Sequence, residues 1–293
     1  MTKTAWIFPG QGSQATGMGV DLQSLPIAQT KFEQAERILG WSVLDLCQTE
    51  LEKLSRTLYT QPCLYVVEAI LADLMLERGH QPDLVAGHSL GEYVALYAAR
   101  VFDFEAGLSL VKRRAELMDS ASQGVMAALM GFDRAQLEAL IDQIDGVVLA
   151  NDNDLNQVVI SGTSEAVEAV LSRIKAKRIV PLKVSGAFHS PLMEEAAAEF
   201  QQILEAVPFK FAKVPVLSNV EPKPAIEANV LKARLIQQMT GSVRWREISV
   251  QLAQEKVERV VEVGPGKVLT GLMKRAAPGV ALSNISGFND LPA

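Results

Sequence analysis

Short apolar runs alternate with stretches of helical spacing along this chain. Residues 4–8, TAWIF, form an apolar run that stops at a proline and a glycine-rich segment, a pattern that predicts a short buried strand. Apolar residues then recur at helical spacing through residues 27–39 and 62–79, with Gly79 as the expected C-cap of the second helix. Next, DLVAGHS predicts a strand, and LGEYVALYAA and residues 105–118 predict two helices.

Residues 125–185 carry a pattern of their own. VMAALM, GVVLA, QVVISG and RIVPLKV predict four strands, with NDNDLN as a polar turn between the middle two. RAQLEALIDQI and SEAVEAVLSRIKAK predict helices, and Ser164 is the expected N-cap of the second. The order βαββαβ is that of a ferredoxin-like unit. We therefore expect a small domain over residues 124–186, inserted into a larger one.

The rest of the chain returns to alternating helices and strands. Helices are predicted at residues 190–207 and at KVLTGLMKRAA, and strands at residues 214–219 and 257–264. Strands that alternate with helices predict a mainly parallel sheet, with a site sought at its strand ends. The larger domain should comprise residues 1–123 and 187–293.

Composition narrows the class of protein. A chain with 48% hydrophobic and 21% charged residues is typical of a globular protein. The N-terminus has no signal-peptide pattern and no segment is apolar for long enough to span a membrane, so we expect a cytoplasmic protein without a membrane partner. Cys47 and Cys63 are too few for a disulfide framework or a zinc site and are expected to be buried small side chains.

The net charge of −6 argues against nucleic-acid binding, because a phosphate backbone needs a local excess of lysine and arginine. An anionic partner would have to meet a basic patch, although such clusters are usually solvated helix faces. The candidate clusters are Lys112, Arg113 and Arg114, then Arg173, Lys175, Lys177 and Arg178, and finally Lys267, Lys274 and Arg275.

A candidate nucleophile lies in GHSLG, which fits the Gly-x-Ser-x-Gly pattern of a nucleophile elbow centred on Ser89. A serine hydroxyl needs a base, and the chain has three histidines. His88 precedes Ser89 and should diverge from it on a sharp turn, and His80 lies in a polar loop. His189, about 100 residues downstream, remains as the base. No Asp or Glu stands out as a third member, which counts against an ordinary hydrolase.

The glycine-rich segment FPGQGSQATGMG has two interpretations. Gly10, Gly12 and Ala15 formally fit a dinucleotide-binding fingerprint, but a proline interrupts the turn and no acidic strand end follows. The preferred interpretation is that this backbone presents an N–H group to a developing oxyanion, with a second N–H from Leu90. GPGK at residues 264–267 lacks the lead and the hydroxyl residue of a phosphate loop.

Five segments occur in order along the chain: FPGQGSQ, GHSLGEY, LVKRRAELM, GAFHSPLM and VEVGPGKVLTGL. With them the chain closely resembles the malonyl-CoA:acyl-carrier-protein transacylases of bacterial fatty acid synthesis over essentially its whole length, and it is also similar to acyltransferase domains of polyketide synthases. The resemblance implies an α/β-hydrolase-like core with a ferredoxin-like insertion. It also implies ping-pong transfer of malonyl from malonyl-CoA to the phosphopantetheine thiol of acyl carrier protein, without a metal or redox cofactor. We expect a monomer.

The resemblance assigns roles to residues that match the family motifs. Ser89 would be acylated, and His189 would be its base. Gln11 and Leu90 would supply the oxyanion N–H groups. Gln238 would orient His189 through its backbone carbonyl, which accounts for the missing acid.

Three further residues are assigned to the acyl group. Arg114 matches the arginine that holds the free carboxylate of malonyl, a role that suits a planar guanidinium, whereas Arg113 should face solvent. Asn153 matches an asparagine near the acyl pocket. Residues 187–189 read Ala-Phe-His where fatty-acid members commonly have Pro-Ser-His. This looks more like malonyl-selective polyketide acyltransferases, in which a phenylalanine such as Phe188 closes the pocket against a methyl branch.

Three alternatives therefore stay open beside the fatty-acid enzyme. The first is a separate malonyl acyltransferase for polyketide synthesis. The second is a serine hydrolase or thioesterase, which would give a buried Arg114 no anionic partner. The third is a carrier-binding module without activity, which would have no need of Ser89, His189 and Arg114 together.

Overall fold

The computed structural model describes residues 2–292, so the first and last residues of the predicted larger domain lie outside the described range. Five parallel strands form the main sheet: β1 (Thr4–Phe8), β2 (Leu84–Gly87), β7 (Val216–Leu217), β8 (Arg259–Val263) and β9 (Ala281–Ile285). Their order across the sheet is β7-β2-β1-β8-β9. The predicted parallel sheet is confirmed; β9 was not predicted, and β7 is shorter than the apolar run VPVLSN.

Helices cover both faces of this sheet. The α-helices that belong to this part of the structure are α1 (Pro26–Leu39), α2 (Val43–Cys47), α3 (Leu51–Leu54), α4 (Thr57–Glu77), α5 (Gly91–Ala98), α6 (Phe104–Ser120), α9 (Glu194–Ala206), α10 (Ala228–Gln238), α11 (Trp245–Gln254) and α12 (Val268–Ala276). Side chains alternate along β1, so that Trp6 and Phe8 join one core with α1 and α4 to α6, while Ala5 and Ile7 join another with α11 and α12.

The small sheet is antiparallel, in the order β4-β5-β3-β6. It consists of β3 (Val125–Phe132), β4 (Val147–Asp154), β5 (Gln157–Gly162) and β6 (Ala176–Pro181), and α7 (Arg134–Gln143) and α8 (Ser164–Leu171) accompany it. These elements enclose a separate apolar core. The predicted N-cap of α8 is wrong by one residue, because the hydroxyl of Thr163, not of Ser164, accepts from the N–H of Ala166 at 3.2 Å.

The predicted polar turn NDNDLN is shorter than expected, because β4 continues through Asp154 and only Leu155 and Asn156 form the turn. The end of β4 also contacts the segment before α11. The backbone of Asp152 donates to the Val243 carbonyl at 2.9 Å, before α11. The Asp152 carboxylate pairs with Arg134 and Arg246, each at 2.8 Å, and Asp154 pairs with Arg275 at 2.6 Å. The polar residues 151–154 thus form a buried joint between the small sheet and the helices α11 and α12.

Other predicted elements have shifted bounds. The helix expected from residue 62 begins at Thr57. It is buried on nearly every side, so the spacing of its apolar residues does not indicate where the helix begins.

Cys47 and Cys63 are buried free thiols, as predicted. Between residues 2 and 292, no helix combines the length and the apolar content that crossing a bilayer requires.

Candidate active site

Ser89 lies on the sharp turn between β2 and α5. Its φ of 50° is in the left-handed region, an unfavourable conformation for a residue with a side chain. The flanking glycines permit this turn by close approach of backbones. A Cβ at Gly87 would meet the backbone of Gly91, and a Cβ at Gly91 would meet the carbonyl oxygens of Phe8 and Pro9. The glycine spacing is therefore a steric requirement of the turn.

Replacing Gly91 with alanine is expected to destabilise the protein by at least about 1–3 kcal/mol, because rigid backbone surrounds the added methyl group. Gly271 in α12 is the matched control, since a Cβ there meets no heavy atom within 4 Å and alanine favours a helix. Thermal unfolding midpoints of both variants test this. Equal midpoints for the two would contradict the steric account.

His189 is the histidine whose ring reaches Ser89. Its Nε2 lies 2.8 Å from Ser89 Oγ, and its Nδ1 lies 2.9 Å from the Gln238 carbonyl oxygen and 3.1 Å from that of Gly241. Two carbonyl acceptors require a proton on Nδ1, which leaves the Nε2 lone pair for the serine proton. Burial, and then the charge of Arg114, lower the pKa of His189 to about 3. The imidazole is therefore neutral at neutral pH.

Arg114 is fully buried beside this pair. Its Nη1 donates to Gln61 Oε1 at 2.8 Å, and its Nη2 donates to Ser89 Oγ at 3.1 Å and to Gln238 Oε1 at 3.0 Å. Within residues 2–292, the guanidinium of Arg114 forms no hydrogen bond or ion pair with a carboxylate. The guanidinium also lies 5.3 Å from the centre of the Tyr93 ring. Burial lowers the pKa of Arg114, but an arginine side chain stays protonated in proteins.

A buried polar network that sequence reasoning missed supports these groups. Asn219 Oδ1 accepts from the Ser89 N–H at 2.7 Å, and its Nδ2 donates to the Gly87 carbonyl at 2.6 Å. Gln238 Nε2 donates to the Ser89 carbonyl and to Glu92 Oε2, each at 2.8 Å. The sequence feature that could have indicated this network was Glu92, because it is a charged residue in an otherwise apolar buried helix.

A cavity of about 80 Å³ opens at Ser89. Its lining includes Gln11, Leu90, Arg114, Phe188 and Asn151, along with Gln61, His88, Met118, Met126, Leu182, Val184 and His189. The backbone N–H groups of Gln11 and Leu90 donate to no acceptor among residues 2–292. Both predicted oxyanion donors are therefore free at the cavity.

Two other predicted residues fall outside the cavity wall. Asn153 lies behind His88, whose Nε2 is 2.8 Å from Asn153 Oδ1, so it reaches the cavity only through that ring. Arg113 lies at the surface, as predicted, and pairs with Glu116 at 2.8 Å and with Glu199. His88 contacts Asn153, not Ser89, as expected for a side chain that diverges from the nucleophile.

The other glycine-rich segments lack the geometry of a phosphate-binding loop. After β1 no α-helix begins until Pro26, which contradicts the dinucleotide fingerprint at residues 10–15. At residues 264–267, the buried carboxylate of Glu262 accepts from the N–H groups of Leu269 and Thr270, at 3.0 and 2.7 Å. A side-chain carboxylate thus caps α12 where a phosphate loop would hold phosphate.

A strained serine, a neutral histidine, free backbone donors and a buried arginine together form an arrangement suited to the transfer of a carboxylated acyl group. In agreement, a family model described as "Acyl transferase domain" matches residues 5–284, so the chain belongs to the acyl transferase family. This confirms the family and the enzyme class predicted from the motifs.

Individual relatives are more specific. The chain is 61% identical to the malonyl CoA-acyl carrier protein transacylase of Synechocystis over 99% of both chains, and the crystal structure of a Synechocystis enzyme of this name superposes with a TM-score of 0.97 over 99% of both. It is 42% identical to the Bacillus subtilis polyketide biosynthesis transacylase PksC over 92% of this chain and 96% of that protein. A malonyl-transacylase in complex with a type II polyketide acyl-carrier protein is 35% identical, with a TM-score of 0.93, over 99% of this chain and 98% of that chain.

Proposed function

We propose that this enzyme transfers malonyl from malonyl-CoA to the phosphopantetheine thiol of an acyl carrier protein, with Ser89 as the nucleophile. The observation that carries this assignment is Arg114, a buried cation 3.1 Å from Ser89 Oγ with no carboxylate partner among residues 2–292. A buried charge is favourable only when an opposite charge meets it. The malonyl carboxylate supplies that charge one carbon away from the reacting carbonyl.

The reaction proceeds in two half-reactions. Ser89 Oγ attacks the thioester carbon of malonyl-CoA while its proton passes to His189 Nε2. The Gln11 and Leu90 N–H groups stabilise the oxyanion, the C–S bond breaks, and His189 returns the proton to the CoA sulfur. The carrier thiol then gives its proton to His189 and attacks the malonyl ester, and Ser89 regains its proton as it leaves.

The finer description of the fold belongs to the same proposal. An α/β-hydrolase-like core of residues 1–123 and 187–293 is supported by the nucleophile turn after β2, a strand inside a parallel sheet. A ferredoxin-like domain of residues 124–186 is supported by the antiparallel order β4-β5-β3-β6 and by a separate core. A cytoplasmic monomer stays a prediction.

Fatty acid synthesis is the pathway we assign. It is supported by 61% identity to the Synechocystis transacylase, against 42% to PksC. Phe188 lines the cavity and favours malonyl over a branched acyl group, which suits either pathway. Polyketide synthesis therefore stays the second candidate, and rates of discharge to carrier proteins of the two kinds from the source organism would separate them.

Intact-protein mass spectrometry after mixing with malonyl-CoA and, separately, acetyl-CoA tests the assignment. A malonyl adduct that carrier protein discharges faster than water would support the transacylase, and carrier protein without its phosphopantetheine is the control. Rapid hydrolysis of either thioester without an adduct would favour a hydrolase. Neither adduct nor turnover would favour a carrier-binding module.

The carrier also needs a docking surface, and the exposed residues Arg173 and Lys177 are our candidates because such carriers are acidic. Lys177 lies on the edge strand β6, and the segment after it, residues 182–185, lines the cavity at Ser89 and a neighbouring cavity of about 770 Å³. That larger cavity adjoins the first at Val184, and we assign it to the phosphopantetheine arm.

Neutralising Arg173 and Lys177 to glutamine is expected to slow transfer to the carrier by about 3- to 10-fold at low salt, because rim charges mainly steer association. Acylation by malonyl-CoA should not change. The same replacements at Lys267 and Lys274 test a competing patch. Equal slowing of both half-reactions by the first pair would overturn this docking surface.

A further inference from the structure

The surroundings of His189 differ from those of a histidine in a serine-histidine-aspartate triad. In a triad, a carboxylate on Nδ1 stabilises the imidazolium that forms during attack. Here Nδ1 donates to two neutral carbonyl groups, those of Gln238 and Gly241. No carboxylate among residues 2–292 touches the ring, so the protein supplies no negative charge where positive charge must develop.

The charged group nearest to His189 is the cation Arg114, which opposes a positive charge on the imidazole. Ser89 Oγ bridges the two side chains, 2.8 Å from His189 Nε2 and 3.1 Å from Arg114 Nη2. Three other titratable groups face this cluster: His88, from the turn before α5, and Glu92 and Tyr93, from α5. Burial raises the pKa of Tyr93, so its phenol stays uncharged. Glu92 reaches Arg114 only through the side-chain amide of Gln238, and burial raises its pKa, which favours the uncharged acid.

From this arrangement we infer that the malonyl carboxylate is a participant in catalysis, because by pairing with Arg114 it cancels the charge that opposes proton transfer from Ser89 to His189. The inference rests on the proposed function and adds to it a cause of selectivity in the chemical step. Malonyl carries its own counter-charge into the site, whereas acetyl leaves His189 facing an uncompensated guanidinium.

The size of this effect follows from the separation. Unit charges about 6 Å apart, at an effective dielectric constant of about 20, interact strongly enough to change a pKa by about 2. In the resting enzyme, burial and then the charge of Arg114 lower the pKa of His189 to about 3. Because proton transfer is only partly complete in the transition state, we expect about a 10-fold gain in the acylation rate from the carboxylate.

The better substrate should then lose activity at the higher pH when the solution is acidified. Raising the pKa of the base moves the acidic limb of the rate profile to higher pH. At saturating substrate, which reports groups in the enzyme–substrate complex, Ser89 acylation by malonyl-CoA should decline below a midpoint about 1–2 pH units above that for acetyl-CoA. Single-turnover release of CoA by the native enzyme, measured across pH, gives the acidic limb for malonyl-CoA and for acetyl-CoA.

A direct measurement uses ¹⁵N NMR of the His189 imidazole, assigned by its loss in His189→Gln. The Arg114→Gln variant should titrate at higher pH than the native enzyme and should be acylated by acetyl-CoA about 10-fold faster. Arg113→Gln removes the same charge from the surface of α6 and should change neither result.

Two results would overturn the inference: superimposable acidic limbs for malonyl-CoA and acetyl-CoA, or equal His189 midpoints in the native enzyme and Arg114→Gln. If Arg114→Gln does not fold, the comparison of acyl groups on the native enzyme still decides. Failure of the proposed function would look different, because no malonyl adduct would form on Ser89 at any pH.

Discussion

Replacing Ser89 with alanine is expected to abolish the malonyl adduct and to slow malonyl transfer by about 10⁴-fold or more, as expected when a covalent nucleophile is removed. The geometry gives the reason: Oγ is the atom shared by the base at 2.8 Å and by the buried cation at 3.1 Å. Intact-protein mass spectrometry and a carrier-loading assay measure the two effects.

The double variant Ser89→Ala, His189→Ala is the control for this prediction. Residues that act as one unit have effects that do not add, so the double variant should be no slower than Ser89→Ala. Thermal midpoints of the variants exclude unfolding as the cause of lost activity. An adduct of unchanged yield in Ser89→Ala would place the nucleophile elsewhere.

Replacing Arg114 with alanine should lower kcat/KM for malonyl-CoA by about 30- to 4,000-fold, since truncating one partner of a buried charge pair costs about 2–5 kcal/mol. Transfer of acetyl should be unchanged or faster. Rates of carrier loading with both acyl groups measure the selectivity.

Arg113→Ala is the matched control for Arg114→Ala. Arg113 is the neighbouring residue on α6, but its guanidinium pairs with Glu116 and Glu199 at the surface. Arg113 does not line the cavity, and surface ion pairs contribute only about 0–1 kcal/mol to stability, so both acyl rates should stay close to those of the native enzyme. Equal losses for malonyl and acetyl in Arg114→Ala would contradict its role with the carboxylate.

The centre of the site was predictable because its chemistry restricts the residue types. Ser89 needs close glycines and a base, and with only three histidines the choice of His189 followed by elimination. Gln61 and Asn219 were not predictable, and Glu92 was recognisable only as a charge in an apolar helix, with no indication of its partners. Each acts through a tertiary contact with a residue far away in sequence, and local pattern carries no information about such contacts.

The asparagines of β4 show a second limit. In a regular strand, alternate residues face opposite sides, so sequence parity would assign Asn151 and Asn153 to one face. The pairing of β4 with β5 shifts register between Leu149 and Asn151 and again between Asp152 and Asp154. Such irregularities re-aim side chains, and here Asn151 lines the cavity while Asn153 holds His88.

The buried joint at β4 has an evolutionary consequence. The nucleophile and its donors are anchored in the parallel sheet, whereas Met126 and Asn151, two walls of the acyl cavity, come from the small sheet. The ion pairs of Asp152 with Arg246 and of Asp154 with Arg275 hold the small sheet against α11 and α12 without touching the reacting atoms. Substitutions on the small sheet can therefore diversify acyl preference while the catalytic apparatus is inherited intact.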